Sequence, residues 1–151
     1  MADSQVGKNQ KVTLGANKVL GIGNWSMAGQ TIQMLDDTEY GDDYTSYCPN
    51  VIDGGTITFG GNAKLGDTTG QDALDDAFDG KVNLTSMRFY VNKTSYYEAC
   101  QTTSYLRPNN TSAGNTVLSH ANITAKPITS DKGALLAISF TLHISGQFVL
   151  V

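Results

Sequence analysis

One stretch of this chain refuses to read as a strand. Leu65 to Lys81, LGDTTGQDALDDAFDGK, puts Leu74, Ala77 and Phe78, with Ala73, at the i, i+3, i+4 spacing of a buried helical stripe. Asp75, Asp76 and Asp79 fall on the water side of the same helix. Asp67, Thr68 or Thr69 can cap its start, Asp72 suits the positive end of the helix dipole, and Gly80 is expected to stop it in a left-handed conformation. A helix this short gains its stability by docking the stripe on something else. Sixteen glycines, seven tyrosines and only 16% charged residues around it suit antiparallel strands. The expected fold is mainly β, an antiparallel β-sandwich or barrel with one flanking α-helix.

The strands are written as alternation. Trp25 to Leu35 carries Trp25, Met27, Ile32 and Met34 among polar neighbours, and Gly54 to Gly61 sets Ile57 and Phe59 against Thr56 and Thr58. Leu84 to Val91 places Met87, Phe89 and Val91 on one face, and Val117 to Ala125 places Val117, Ala121 and Ile123 opposite His120, Asn122 and Thr124. Tyr96 to Leu106 is a less regular strand or pair, and Pro108 to Gly114 reads as a turn-rich loop. The last strand is the cleanest: Leu136, Ile138, Phe140, Leu142 and Ile144 are expected in the core, with Ala137, Ser139, Thr141 and His143 on the other side. Residues 1–11 are polar and aperiodic and are expected to be a flexible arm, with residues 12–151 forming one domain.

Between two of these strands lies Asp36 to Asp53, DDTEYGDDYTSYCPNVID, too long for an ordinary hairpin turn. Long connections of this kind in compact domains are usually functional or disordered. Asp36, Asp37, Glu39, Asp42 and Asp43 mix there with Tyr40, Tyr44 and Tyr47, side chains that cover apolar area while keeping a polar tip. The two readings are a solvated tip and a protruding element that contacts a neighbour.

Most chemistry fails on inventory. A net charge of −4 without a basic patch argues against a protein that grips nucleic acid. The two histidines, His120 and His143, lie at polar strand positions outside any metal motif, and no phosphate-binding glycine loop or nucleophile elbow is present. An EF-hand loop begun at Asp36 would put Tyr40 and Tyr47 where oxygen ligands are required. Asp75 and Asp76 are adjacent on a helix and point apart, so they make no acid/base pair. Cys48 and Cys100 are expected to be free thiols, since the N-terminus lacks the pattern of a secretory signal. No stretch approaches the roughly 20 apolar residues of a membrane span, so no direct membrane insertion is expected. The expectation is a non-enzymatic protein without a cofactor or a metal.

The order of these segments resembles the major tail-tube proteins of long-tailed bacteriophages. The resemblance is carried by Gly23-Asn24-Trp25-Ser26 entering the first long strand, the acidic stretch Asp36 to Asp43, Gly54 to Gly61, the helix with Gln71, Leu74 and Phe78, and Ile138 to Ser145-Gly146. It implies six-membered rings that stack into a tube, which conducts DNA from capsid to host without binding it specifically. It further implies tape-measure, tail-terminator and distal-tail proteins as partners, and a place in the virion after assembly in the host cytoplasm. The small polar face Ala137, Ser139, Thr141 and His143 then becomes the candidate channel lining. The segment from Asp36 to Tyr47 becomes the candidate inter-ring loop. Two alternatives remain open at this point: the tube protein of a bacterial contractile secretion system, and a β-sandwich binding module.

Overall fold

The computed structural model describes residues 10–84, 86–99, 104–106, 116–146 and 148–150. Its elements begin with β1 (Val12–Leu14), β2 (Asn17–Lys18), β3 (Ile22–Ala28), β4 (Thr31–Asp36), β5 (Tyr47–Asp53) and β6 (Thr56–Asn62). The helix α1 (Gln71–Asp79) follows, then β7 (Met87–Tyr90), β8 (Tyr96–Ala99), β9 (Ser104–Leu106) and β10 (Thr116–Leu118). The chain closes with β11 (His120–Ala125), β12 (Ile128–Thr129), β13 (Ala137–Ser145) and β14 (Phe148–Leu150).

Two five-stranded antiparallel sheets carry the fold. One has the order β14-β8-β7-β1-β2; the other has β11-β13-β6-β3, with β12 also on β13. Strand alternation aims Ile57, Phe59, Phe140, Leu142 and Ile144 from the second sheet at Val12, Met87 and Phe89 from the first, all buried. Phe59 joins the halves: its ring lies 5.4 Å from Phe140 on its own sheet and 5.4 Å from Phe89 across the core. The architecture is thus the mainly β, antiparallel, one-helix arrangement that the sequence implies.

The helix is shorter than the segment that announces it, and its ends are built differently. Leu74 and Ala77 are buried while Ala73 and Phe78 are half-buried, so the stripe docks as expected, against β11. At the start, Asp67 accepts the Gln71 N–H at 3.0 Å and the Leu20 N–H at 3.0 Å, so one carboxylate both caps the helix and ties it to the chain before β3. At the end, Gly80 is right-handed (φ −82°) and Lys81 takes the left-handed position (φ 55°). The Val82 N–H reaches the Ala77 carbonyl at 3.0 Å and the Lys81 N–H the Phe78 carbonyl at 3.3 Å, the Schellman pattern with lysine where glycine is usual. Nor do all the aspartates face only water. Lys126, just past β11, pairs with Asp75, stands 3.4 Å from Asp79 and lies over the Phe78 ring. The Asp75 carboxylate holds the Lys126 ammonium above the ordinary lysine range.

Three further expectations change. The strand from Trp25 to Leu35 is two strands, broken at Gly29 and Gln30. Leu136 precedes β13 and is exposed, because its carbonyl accepts the Ala63 N–H at 2.8 Å while its side chain lies beyond the sheet. The segment from Val117 to Ala125 is also two strands, β10 pairing with β9 and β11 with β13. Residues 1–9, the segment 108–114 expected as a turn-rich loop and Cys100 lie outside the described residues; the Lys11 carbonyl already accepts the Tyr90 N–H at 2.9 Å.

Candidate assembly surfaces

The segment between β3 and β6 is not a loop but a second, separate hairpin. β4 and β5 pair only with each other, from Thr31 with Asp53 to Asp36 with Tyr47, with a bulge between Ile32 and Met34 where Asn50 and Val51 stand opposite Gln33. Every residue from 28 to 53 is exposed. The ribbon leaves the second sheet through Gly29 and Gly55, both at positive φ (79° and 85°). A side chain at Gly55 would meet the Ala28 carbonyl oxygen at 2.4 Å, so that exit demands glycine.

The tip, residues 37–46, orders itself. The Asp36 carboxylate accepts the Thr38 N–H at 2.9 Å, Thr38 Oγ1 accepts the Ser46 N–H at 2.8 Å, and Asp42 accepts the Glu39 N–H at 2.8 Å. The Thr38 hydroxyl and amide hold the Asp36 carboxyl below the usual carboxylate range, so the turn's contribution is full above that range and is lost as pH falls through the lowered value beneath it. Asp37, Glu39, Tyr40, Asp42, Asp43 and Tyr44 occupy the tip, and Tyr47 opens β5. Tyr40 and Tyr44 stand free of any packing, at 109% and 88% exposure. On the strands, Ile32 pairs with Ile52 and Met34 with Pro49, leaving an uncovered apolar side.

The outward face of the second sheet is of another kind. Register aligns Ser139 with Gly60 and Asn24, Thr141 with Thr58 and Ser26, and His143 with Thr56 and Ala28. Asn122 lies beside His143, and His120 beside Ser145. Ala137 and His143 are exposed; Ser139 and Thr141 are half-buried among these small neighbours. Gly60 and Gly61 leave a furrow of about 320 Å³ beside Asn24, Pro127, Thr129 and Ser139. Among the described residues this face bears no Asp, Glu, Lys or Arg.

One functional residue escapes reading by periodicity. Gln71 is buried at the first turn of α1, where its side chain accepts the Lys64 N–H at 2.9 Å and donates to the Leu20 and Asn62 carbonyls at 2.6 and 2.9 Å. That amide fastens the helix to the ends of two sheet segments. Among the described residues no three His, Cys, Asp or Glu side chains are grouped to hold a metal ion. Cys48 is an exposed free thiol on the ribbon.

No protein-family model matches the sequence, and neither does any curated protein. Solved structures do match along nearly the whole chain. A protein from the tail of an empty gene transfer agent particle, refined with C6 symmetry, superposes with a TM-score of 0.68 at 11% identity over 97% of this chain and 98% of that one. The chain has the tail-tube fold. The SPP1 tail tube gives a TM-score of 0.59 at 14% identity over 97% of this chain and 78% of its own. The cap that terminates the anti-feeding prophage tube gives 0.64 at 11% identity, over 100% and 93%. Among the described residues the ribbon is a hairpin that pairs with neither five-stranded sheet and is exposed along its whole length.

Proposed function

We propose that the protein is a structural subunit of a virion tail: six copies form a ring, rings stack into a tube, and DNA passes through the tube without specific binding. The observation that carries this reading is the near-complete superposition on a six-fold symmetric tail protein, with no long segment of either chain left over. Two surfaces of the chain support it. The polar, uncharged outer face of the second sheet, with Ala137, Ser139, Thr141 and His143 along β13, suits a water-filled channel that must let phosphates slide. The ribbon suits a link between rings, because an isolated two-stranded hairpin is marginal in water and gains by being covered.

Electron microscopy of the purified protein tests the proposal, with rings or tubes expected. A stable monomer at high concentration, by light scattering, overturns it. Deleting Thr38 to Tyr47 is expected to leave folded subunits and rings without long tubes. Normal tubes from that deletion would show that the ribbon does not join rings. Partners in this reading are further copies of the chain, together with tail-terminator, tape-measure and distal-tail proteins.

A second reading rests on the likeness to the anti-feeding prophage cap and to the sheath/tube terminator of an extracellular contractile injection system, and would make the chain a tube component of a contractile injection machine. Genes for capsid, terminase and tape measure beside this one favour the virion tail; a sheath gene favours the alternative.

A further inference from the structure

Strands β3, β6 and β13 run between two ends of the second sheet, about 20 Å apart for seven residues. The ribbon leaves from the end that holds Ala28, Thr56 and His143. The opposite end, with Ile22, Asn62 and Ala137, is finished by Leu20 before β3, Lys64 and Leu65 after β6, Ile128 in β12, and Leu135 and Leu136 before β13. The bonds from Ala63 N–H to the Leu136 carbonyl and from Gln71 to the Leu20 and Asn62 carbonyls hold these pieces together as one surface.

That pole is apolar where solvent should be. Leu65 is 94% exposed, Leu135 71% and Ile128 60%, with Leu20 and Leu136 also exposed. Among the described residues, every exposed large apolar side chain except Val82 and Leu150 lies either on the ribbon or on this pole. Exposed apolar groups gathered in this way mark interaction sites. The charges are complementary as well. From Asp36 to Asp53 the ribbon bears only carboxylates, and no Lys or Arg occurs between Lys18 and Lys64. The pole presents Lys64 and Lys132 with Asp131, while Asp67 is buried and spent on the amides of Leu20 and Gln71.

We propose that the ribbon of one subunit docks on the Leu20–Leu65–Leu135 pole of a second copy of this chain in the next ring, Lys64 and Lys132 facing its carboxylates. This rests on the tube reading above and names the receiving surface. Ribbon against ribbon is disfavoured, because it would set carboxylates against carboxylates. Two different patches that fit each other make a head-to-tail contact, which extends rather than closes.

The test compares assembly of the full-length protein with that of Leu65→Glu/Leu135→Glu and Lys64→Glu/Lys132→Glu, by sedimentation and electron microscopy. All four positions are exposed, and unchanged thermal unfolding of the dispersed subunit confirms that they leave the fold intact. Both variants are expected to form rings, with the sedimentable tube fraction reduced at least about tenfold. Adding Asp42→Lys/Asp43→Lys to the lysine variant is expected to restore tubes. A second arm adds the chain lacking Thr38 to Tyr47, which keeps its pole, in small amount to the full-length protein: it should shorten tubes by capping them, and lose that effect when it also carries Leu65→Glu/Leu135→Glu. Full-length tubes from both pole variants, where the ribbon deletion gives none, would overturn the pole assignment and leave the tube reading standing. Loss of rings as well as tubes in the pole variants would place the surface within the ring and overturn the proposal too. Tubes from the ribbon deletion itself would overturn the ribbon's role.

Discussion

Gln71 in the helix and Lys81 just past its end concentrate what single side chains contribute here. Gln71 satisfies three backbone groups from inside the fold, and each such bond is worth about 1 kcal/mol net, with a further penalty for any group left buried and unpaired. Gln71→Ala is expected to lower stability by about 3 kcal/mol, measured by urea unfolding of the subunit. Lys81 acts in the other direction. A non-glycine residue in the left-handed region carries about 1 kcal/mol of strain, so Lys81→Gly should raise stability by about that amount, with a matching upward shift in the melting temperature. Neither role was legible from periodicity, although Gln71 stands among the residues that carry the tail-tube resemblance. Periodicity reports which side chains meet the core, whereas Gln71 is buried for its hydrogen bonds. Gly80 drew the left-handed role by composition, but the chain turns one residue later.

At the scale of elements, legibility followed burial. β13 was plain because Phe140, Leu142 and Ile144 alternate into a core with no competing demand, and β6 was plain for the same reason through Ile57 and Phe59. The break between β3 and β4 was also written in the chain, as a change of phase: Trp25 and Met27 are odd-numbered, Ile32 and Met34 even-numbered, with Gly29 between them. β5 was hidden because it has no core face to reveal it, and because Pro49 and the adjoining bulge disguise a strand. The length of the acidic, tyrosine-bearing stretch marked it as more than a turn, and its exposure fits both a solvated tip and a neighbour contact; that its flanks pair into a ribbon had no signal in the sequence. A ribbon without packing has little to protect its amides. Hydrogen exchange at residues 31–36 and 47–53 is therefore expected to be fast in the dispersed subunit and slowed in tubes, while β6 and β13 stay protected in both. Fast exchange of the ribbon in assembled tubes would mean that nothing covers it.

For the whole molecule, the described residues divide between an uncharged sheet face and two ends that carry most of the exposed large apolar side chains. If the uncharged face lines the channel, Ser139→Lys or Thr141→Lys should leave tube assembly intact. In the proposed six-membered ring each would add six positive charges, and DNA release through such tubes should slow at low ionic strength and recover as salt is raised. Unchanged release at low salt would place that face elsewhere.

The second sheet ends at β3 on one side and at β11 and β12 on the other, and this has a consequence for the subunit before it meets any partner. Among the described residues β3, with the sequence IGNWSMA, pairs on one side only, and it has no proline, lysine or carboxylate to deter a stray strand on the other. Its one guard is the irregularity between Ile22 and Asn24, which kinks the ladder at one end. A subunit kept waiting at high concentration is thus open to indiscriminate edge-to-edge pairing, the route by which β proteins precipitate. Rapid recruitment into a finished particle would protect it better than any device in its own sequence.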